Sequence, residues 1–216
     1  VQESADGIVV VQHDSDFMKV AGNALKTWEA RESDLRDIDI GSWFDPAYAD
    51  ERPPLLREVL AEMEDRGRLI IELKYYGHNV DLENRVIALV EEAGMEDRIA
   101  TMSLNYPTVQ KMRELRPDWR SGILAATAVG DLTRLEGDFL AVNTAQVTSA
   151  LVARAGSAGK DVYAWTVNDP VTMARMISLG VDGLITDDPA LARRMAAHYA
   201  TLTTAERIAL SLGGSI

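Results

Sequence analysis

Apolar and polar positions alternate between two rhythms from residue 55 onward. Short apolar runs, "RLIIEL" (68–73), "IATMS" (99–103), "SGILAA" (121–126), "FLAVN" (139–143), "DVYAWTVN" (161–168) and "DGLITD" (182–187), read as six strands. Between them lie stretches with helical spacing: "LLREVLAEMEDRG" (55–67), "YPTVQKMRELRP" (106–117), "TSALVARAGSAG" (148–159), "DPVTMARMISLG" (169–180) and "PALARRMAAHYA" (189–200). Only a weak helical pattern follows the third strand. The punctuation agrees with these limits. Pro107 suits a first helical turn and Pro117 a stop, Asp169-Pro170 forms a cap and first turn, and Gly67 and Gly180 are placed as C-terminal stops.

Strands that alternate with helices imply a parallel sheet covered by helices. The opening stretch "VQESADGIVVVQHD" adds two extended pieces around an Asp6-Gly7 turn. A (β/α)₈ barrel of the TIM type takes about 250 residues, so this alternation predicts such a barrel, with the first βα unit and most of strand 2 expected upstream of residue 1. The rival, a doubly wound open sheet, lacks its usual support, since no GxGxxG or GxxxxGK[ST] follows any strand. One barrel domain is expected over 1–200, with 201–216 as a C-terminal tail.

Composition narrows the function classes. Of 216 residues, 47% are hydrophobic and 26% charged, which suits one globular core. There is no cysteine, so thiolate catalysis and Cys-based zinc sites are excluded. The net charge of −12 is uneven: residues 1–65 carry −10 and residues 66–216 only −2. A nucleic-acid partner is excluded on these grounds, because phosphate backbones are held by clustered Lys and Arg. An anionic small molecule would need a local cation. No run in this chain is long and apolar enough to span a bilayer, and 1–7 does not read as a signal peptide; cytoplasmic and extracytoplasmic locations both stay open, as does the oligomeric state.

Barrel chemistry sits at the C-terminal ends of strands. In "LIIELK" the two-residue period puts Ile70, Glu72 and Lys74 on one face and Leu69, Ile71 and Leu73 on the other. A carboxylate followed two residues later by an ammonium is either a self-neutralising pair or a hard-cation ligand beside an anion-holding lysine. His13, at the end of the "VVVQ" run, is either a core histidine or a proton-transfer group, since an unperturbed imidazole titrates near neutral pH. Asp14 either orients that imidazole or ends the strand. "YYGHN" (75–79) reads as a loop that lines the site or simply a polar connection. His198 belongs on a solvated helix face, and Asp187 and Asp188 read as caps of the last helix.

Taken in order and spacing, "VQESADGIVVVQHD", "GSWF", "RPPLLREVL", "IIELK", "VYAWTVND" and "LGVDGLITDDP" closely resemble the glycerophosphodiester phosphodiesterases, over residues 1 to about 195. The resemblance implies a (β/α)₈ barrel that hydrolyses a small-molecule glycerophosphodiester to glycerol 3-phosphate and an alcohol, using a divalent cation, Ca²⁺ or Mg²⁺. It implies that His13 is one of two acid–base histidines, that Glu72 is a metal ligand, and that Lys74 contacts the phosphate. It places Trp165 on the Trp of the family's WTVN motif, which either packs the glycerol or alcohol portion or is an ordinary core tryptophan. Ser103 ends its strand where relatives carry Ser-Phe, and Leu104 departs from that pattern.

Two further departures bear on chemistry. The family's His-Arg-Gly motif and its Glu-x-Asp motif do not occur in this sequence, and with them a second histidine and two metal carboxylates are absent. A single Glu72 does not hold calcium, which takes roughly 6 to 8 oxygens, so weak metal binding is expected. Alternative readings are a catalytically incomplete barrel or pseudoenzyme with a weak anion site, and a phospholipase D-like activity.

Overall fold

The computed structural model describes residues 1–63, 66–127 and 130–211, with the side chains of 208–211 excepted. The chain forms two compact units, Val1–Trp119 and Arg120–Ile216.

The first unit opens with a hairpin. β1 (Gln2–Glu3) pairs antiparallel with β2 (Val9–Val10), and Gly7 turns the chain at φ 79°, a left-handed conformation that costs a glycine little. The Asp6-Gly7 turn expected from sequence is therefore present. A second small hairpin joins β3 (Asp16–Phe17) to β4 (Asn23–Lys26) through helix α1 (Met18–Ala21). Helix α2 (Glu32–Leu35) and an exposed loop lead to α3 (Leu56–Met63). Then come β5 (Leu69–Glu72), α4 (Leu82–Glu92), β6 (Ile99–Ser103) and α5 (Tyr106–Leu115). β5 and β6 run parallel with Leu69 opposite Ile99 and Glu72 opposite Met102.

Helix α4 shows why this unit holds together. Leu82, Val86 and Val90 recur every four residues and are fully buried, forming one apolar stripe. They pack with Leu56 and Leu60 of α3, Ile71 of β5, Leu73 just after it, and Met112 of α5. Ile71 and Leu73 are buried whereas Ile70 is 45% exposed, so the two faces of "LIIELK" separate as the strand period requires.

The second unit contains β7 (Arg120–Ala125), β8 (Phe139–Asn143), α6 (Ser149–Ser157), β9 (Asp161–Trp165), α7 (Pro170–Leu179), β10 (Gly183–Leu184), α8 (Pro189–Thr201) and α9 (Thr204–Ser211). β7 pairs with β8, β8 with β9 and β9 with β10, all parallel. Phe139, Leu140, Ala141 and Val142 are all inaccessible to solvent, as expected of a parallel strand covered on both faces. Gly122 lies opposite Phe139 in register, and a Cβ there would collide with the Phe139 ring.

Each of the six strands expected between 68 and 187 is present. Asp169 accepts from the Thr172 amide and Gly180 closes α7 at φ 82°. Three local expectations change. The described part of α3 ends at Met63, Gly67 does not take the left-handed backbone, and residues 64–65, where the helix was expected to run on, lie outside the described residues. After β7 the expected weak helix is a single 3-10 turn, Leu132–Arg134, and residues 128–129 also lie outside the description. Part of the 201–216 segment, expected as a tail, forms α9, and residues 212–216 lie outside the description.

Candidate active site

At the end of β5, Lys74 Nζ lies 3.1 Å from Glu72 Oε1, with the two side chains 10% and 19% exposed. Both project from the strand face opposite Ile71 and Leu73, so an ion pair occupies a position the core does not need. The chain at residue 1 runs alongside: the Lys74 amide donates to the Val1 carbonyl at 3.0 Å, and the Val1 nitrogen donates to the Glu72 carbonyl.

His13 and Asp14 follow β2. Nδ1 of His13 lies 2.7 Å from Asp14 Oδ1, and the imidazole side chain is 79% exposed. The core-histidine reading is thereby excluded, and Asp14 orients the ring. Tyr76, two residues beyond Lys74, donates its hydroxyl to the His13 carbonyl at 3.2 Å. Burial, together with the negative charges of Asp14, Glu72 and Asp16, holds the Tyr76 phenol above its ordinary pKa, so it stays protonated and able to donate. Tyr76 thus ties the His13 loop to the segment that follows Glu72 and Lys74.

The "YYGHN" loop contributes more than a polar connection. His78 stacks on Trp28 with centroids 4.3 Å apart and planes at 11°, and Tyr76 approaches the same indole at 5.8 Å. Lys26 lies 5.9 Å from the Trp28 ring and pairs with Asp16. Tyr75 instead turns inward: its hydroxyl donates to Glu83, a buried carboxylate that also accepts from Lys111 Nζ at 2.8 Å. Burial and that carboxylate push the Tyr75 phenol up.

In the second unit Trp165 ends β9, half-buried, with an indole Nε1 that has no hydrogen-bond partner among the described residues. The loop after it is latched by Asn168, whose Nδ2 donates to Asp187 Oδ2 at 2.7 Å while its Oδ1 accepts from the Asp187 amide at 2.9 Å. Asp187 therefore serves this latch, and Asp188 alone caps α8 by accepting from the Leu191 amide at 2.8 Å. Ser103 is buried and donates to the Leu73 carbonyl at 2.7 Å, a structural use. His198 is exposed on α8.

The structure holds no cluster, among the described residues, of three or more His, Asp or Glu side chains able to hold a metal ion. Glu72 already shares an oxygen with Lys74. This donor set does not fit a tightly held calcium or magnesium ion, whose ligands are mostly carboxylate and carbonyl oxygens. Among the described residues no helix is long and apolar enough to cross a membrane.

Sequence reading did not single out Gln2, the side chain that holds the His13 loop. It is 2% exposed and donates to the carbonyls of Gln12 and Asp14 at 2.8 and 2.7 Å. The available signal was a polar residue beginning the extended piece that pairs with the His13 strand.

Comparison with known proteins identifies the family and the fold. Residues 1–191 match the sequence model of the Glycerophosphoryl diester phosphodiesterase family. A putative glycerophosphodiester phosphodiesterase of Bacillus subtilis is 28% identical over 196 residues, covering 88% of this chain and 81% of that protein. A glycerophosphodiester phosphodiesterase of Caldanaerobacter subterraneus is 29% identical over 199 residues, covering 88% of this chain and 80% of the other. Among solved structures, a putative glycerophosphoryl diester phosphodiesterase from Silicibacter pomeroyi superposes with a TM-score of 0.80 at 24% identity, covering 91% of this chain and 81% of that one. An Oleispira antarctica phosphodiesterase, solved with its product sn-glycerol-3-phosphate, gives the same TM-score and identity over 91% of this chain and 83% of its own. These likenesses establish the α/β barrel fold expected from the strand–helix alternation. With most of its length matched by the family's sequence model, the chain belongs to the glycerophosphoryl diester phosphodiesterase family, a family of phosphoric diester hydrolases.

Proposed function

We propose that this protein hydrolyses a glycerophosphodiester to glycerol 3-phosphate and an alcohol, with His13 moving the proton and Lys74 holding the phosphoryl oxygens. The observation that carries the reading is the Lys74–Glu72 pair on the non-core face at the end of β5, joined through Tyr76 to the His13 carbonyl. The product found in the Oleispira antarctica relative is of the same chemical class.

Hydrolysis adds water to phosphorus, breaks the phosphorus–oxygen bond to the alcohol, and delivers a proton to the departing oxygen. Asp14 Oδ1 beside Nδ1 favours the tautomer with its hydrogen on Nδ1. Nε2 is then left as the group that exchanges a proton with water or the leaving oxygen. Lys74, mostly buried, opposes the charge on the phosphoryl oxygens where screening is weak. Glu72 holds the ammonium in place; on the family resemblance it would be one ligand of a divalent cation, which the donor set here does not complete. Trp165, at the end of β9, is assigned to the glycerol or alcohol portion on the family resemblance alone.

The test is release of glycerol 3-phosphate from glycerophosphocholine by this chain and by His13→Ala, with calcium, magnesium or chelator. Release by the parent and loss of at least about 100-fold in the variant support the reading. Undiminished release by His13→Ala overturns the proton-transfer role, and binding of glycerol 3-phosphate without any release favours a non-catalytic anion site.

A further inference from the structure

Three successive carbonyls, those of Gln12, His13 and Asp14, accept hydrogen bonds from side chains: Gln2 Nε2 at 2.8 Å, the Tyr76 hydroxyl at 3.2 Å and Gln2 Nε2 again at 2.7 Å. We infer that Gln2 is the positioning residue of His13, a single buried amide that grips the backbone on both sides of the histidine, with Tyr76 closing the grip from outside. The inference rests on the proton-transfer role given above to His13.

Geometry fixes the orientation of the amide. Both neighbours of Gln2 Nε2 are carbonyl oxygens, which only accept, so the nitrogen must face them and both of its hydrogens are consumed. Gln2 Oε1 is then turned into the interior with no partner among the described residues. A buried acceptor left unsatisfied is costly, and a residue chosen for stability alone would not be expected there. The double donation explains its presence, because a carbonyl on either side of a catalytic residue that lies outside regular strand pairing needs a donor from elsewhere. β2 ends at Val10, so residues 12–14 have no strand ladder to hold them. His13 itself is 79% exposed, and core packing therefore does not fix its ring. Its position depends on the backbone beneath it, on Asp14 at Nδ1, and hence on Gln2 and Tyr76.

Gln2 belongs to β1, and Glu3 beside it anchors that strand by accepting from the Val80 and Asp81 amides and from Arg85. The grip is consequently mounted on a fixed element, which is what a positioning group requires.

The experiment compares parent, Gln2→Met, Tyr76→Phe, His13→Ala and the Gln2→Met/His13→Ala double variant, below their unfolding temperatures. Gln2→Met preserves length and removes both donors; Tyr76→Phe removes one donor from an exposed side chain and serves if Gln2→Met fails to fold. Two readouts are taken: turnover of glycerophosphocholine, and NMR order parameters of the amides of residues 12–14. The expected result is a fall in kcat of about 10- to 100-fold for Gln2→Met with KM changed less than about twofold. A smaller fall is expected for Tyr76→Phe, and order parameters at 12–14 should drop from about 0.85 toward 0.6. In the His13→Ala background Gln2→Met should cost nothing further, which a general loss of packing would not produce. Unchanged order at 12–14 in both single variants, or equal losses from Gln2→Met with and without His13, overturns the inference. Full turnover by His13→Ala would instead remove the proton-transfer role while the order parameters still decide whether Gln2 grips the loop. A parent without turnover leaves the same order parameters to decide.

Discussion

Glu72, the last residue of β5, and Lys74, two residues on and on the same face, form an ion pair at 3.1 Å in which neither side chain is more than one-fifth exposed. Removing one member leaves the other charge poorly solvated, whereas replacing Glu72 with its neutral amide keeps the shape and a hydrogen bond. Lys74→Met should therefore cost about 1–3 kcal/mol of stability and lower phosphodiester turnover by at least about 100-fold. Glu72→Gln also takes the counter-ion from Lys74 but keeps the hydrogen bond, so it should lower the unfolding midpoint by less than Lys74→Met does, while lowering turnover. Thermal unfolding beside glycerol 3-phosphate release checks both; equal stability losses from the two variants would make the pair a structural neutralisation only.

Gly122 lies under the Phe139 ring on neighbouring parallel strands, with no room for a Cβ. Overpacking of this kind costs about 1–3 kcal/mol, since β8 is buried on both faces and Phe139 has no solvent-side position to retreat to. Gly122→Ala should lower the unfolding free energy by that amount, moving the denaturation midpoint down without changing the slope against denaturant. A variant as stable as the parent would show that the ring moves freely.

Asp39 accepts from the Gly41 and Ser42 amides at 2.9 and 3.0 Å and from the Ser42 hydroxyl. These bonds hold its carboxyl down, from 3.8 to about 2. A carboxyl depressed on folding stabilises above its unfolded pKa, and that contribution is lost as pH falls through the folded value. The loop should therefore keep its native fluorescence from neutral pH to about pH 4 and lose it between about pH 4 and 2, reported by the adjacent exposed Trp43. Asp39→Asn should abolish that transition. A transition centred above pH 4 would contradict the assignment.

The strand–helix order was legible because period and punctuation reinforce one another: Asp169-Pro170 and Gly180 bracket α7 in sequence and in structure alike. The face carrying Glu72 and Lys74 was also legible, since strand period alone separates it from Ile71 and Leu73. Gln2 was not, because the bonds from its amide to residues 12 and 14 arise only when the Asp6-Gly7 turn folds β1 onto β2. The inward turn of Tyr75 and the outward turn of Tyr76 were likewise hidden. Adjacent tyrosines look alike in sequence, and their fates depend on where Glu83 of α4 and the His13 carbonyl come to lie.

Asn168 latches the loop after Trp165 to the loop after β10 through bonds to Asp187 and Thr186. These bonds are exposed, so each is worth at most about 0.5–1.5 kcal/mol, and Asn168→Ala should lower stability by about 1 kcal/mol. The larger expected effect is local: the Trp165 loop loses its fixed geometry, and indole fluorescence should become more quenchable by acrylamide. Unaltered quenching with lowered stability would limit the latch to a structural role.

Metal binding offers a separate test of the donor count at the β5 end. Glu72 is already paired with Lys74, and no cluster of three metal-ligating side chains stands among the described residues. A site so poor in carboxylates falls at or beyond the weak end of calcium affinities, about 1 mM. At 1 mM free calcium the stabilisation of the folded chain would then be no more than about 0.4 kcal/mol, a shift of the unfolding midpoint of about 1 °C or less. Calorimetric titration of this chain should show no saturable calcium or magnesium binding in the micromolar range. Lys74→Met frees the Glu72 carboxylate, and calcium should then stabilise that variant more than the parent. Micromolar binding by the parent, lost in Glu72→Gln, would show that backbone carbonyls and ordered water complete a site that the side chains alone do not reveal.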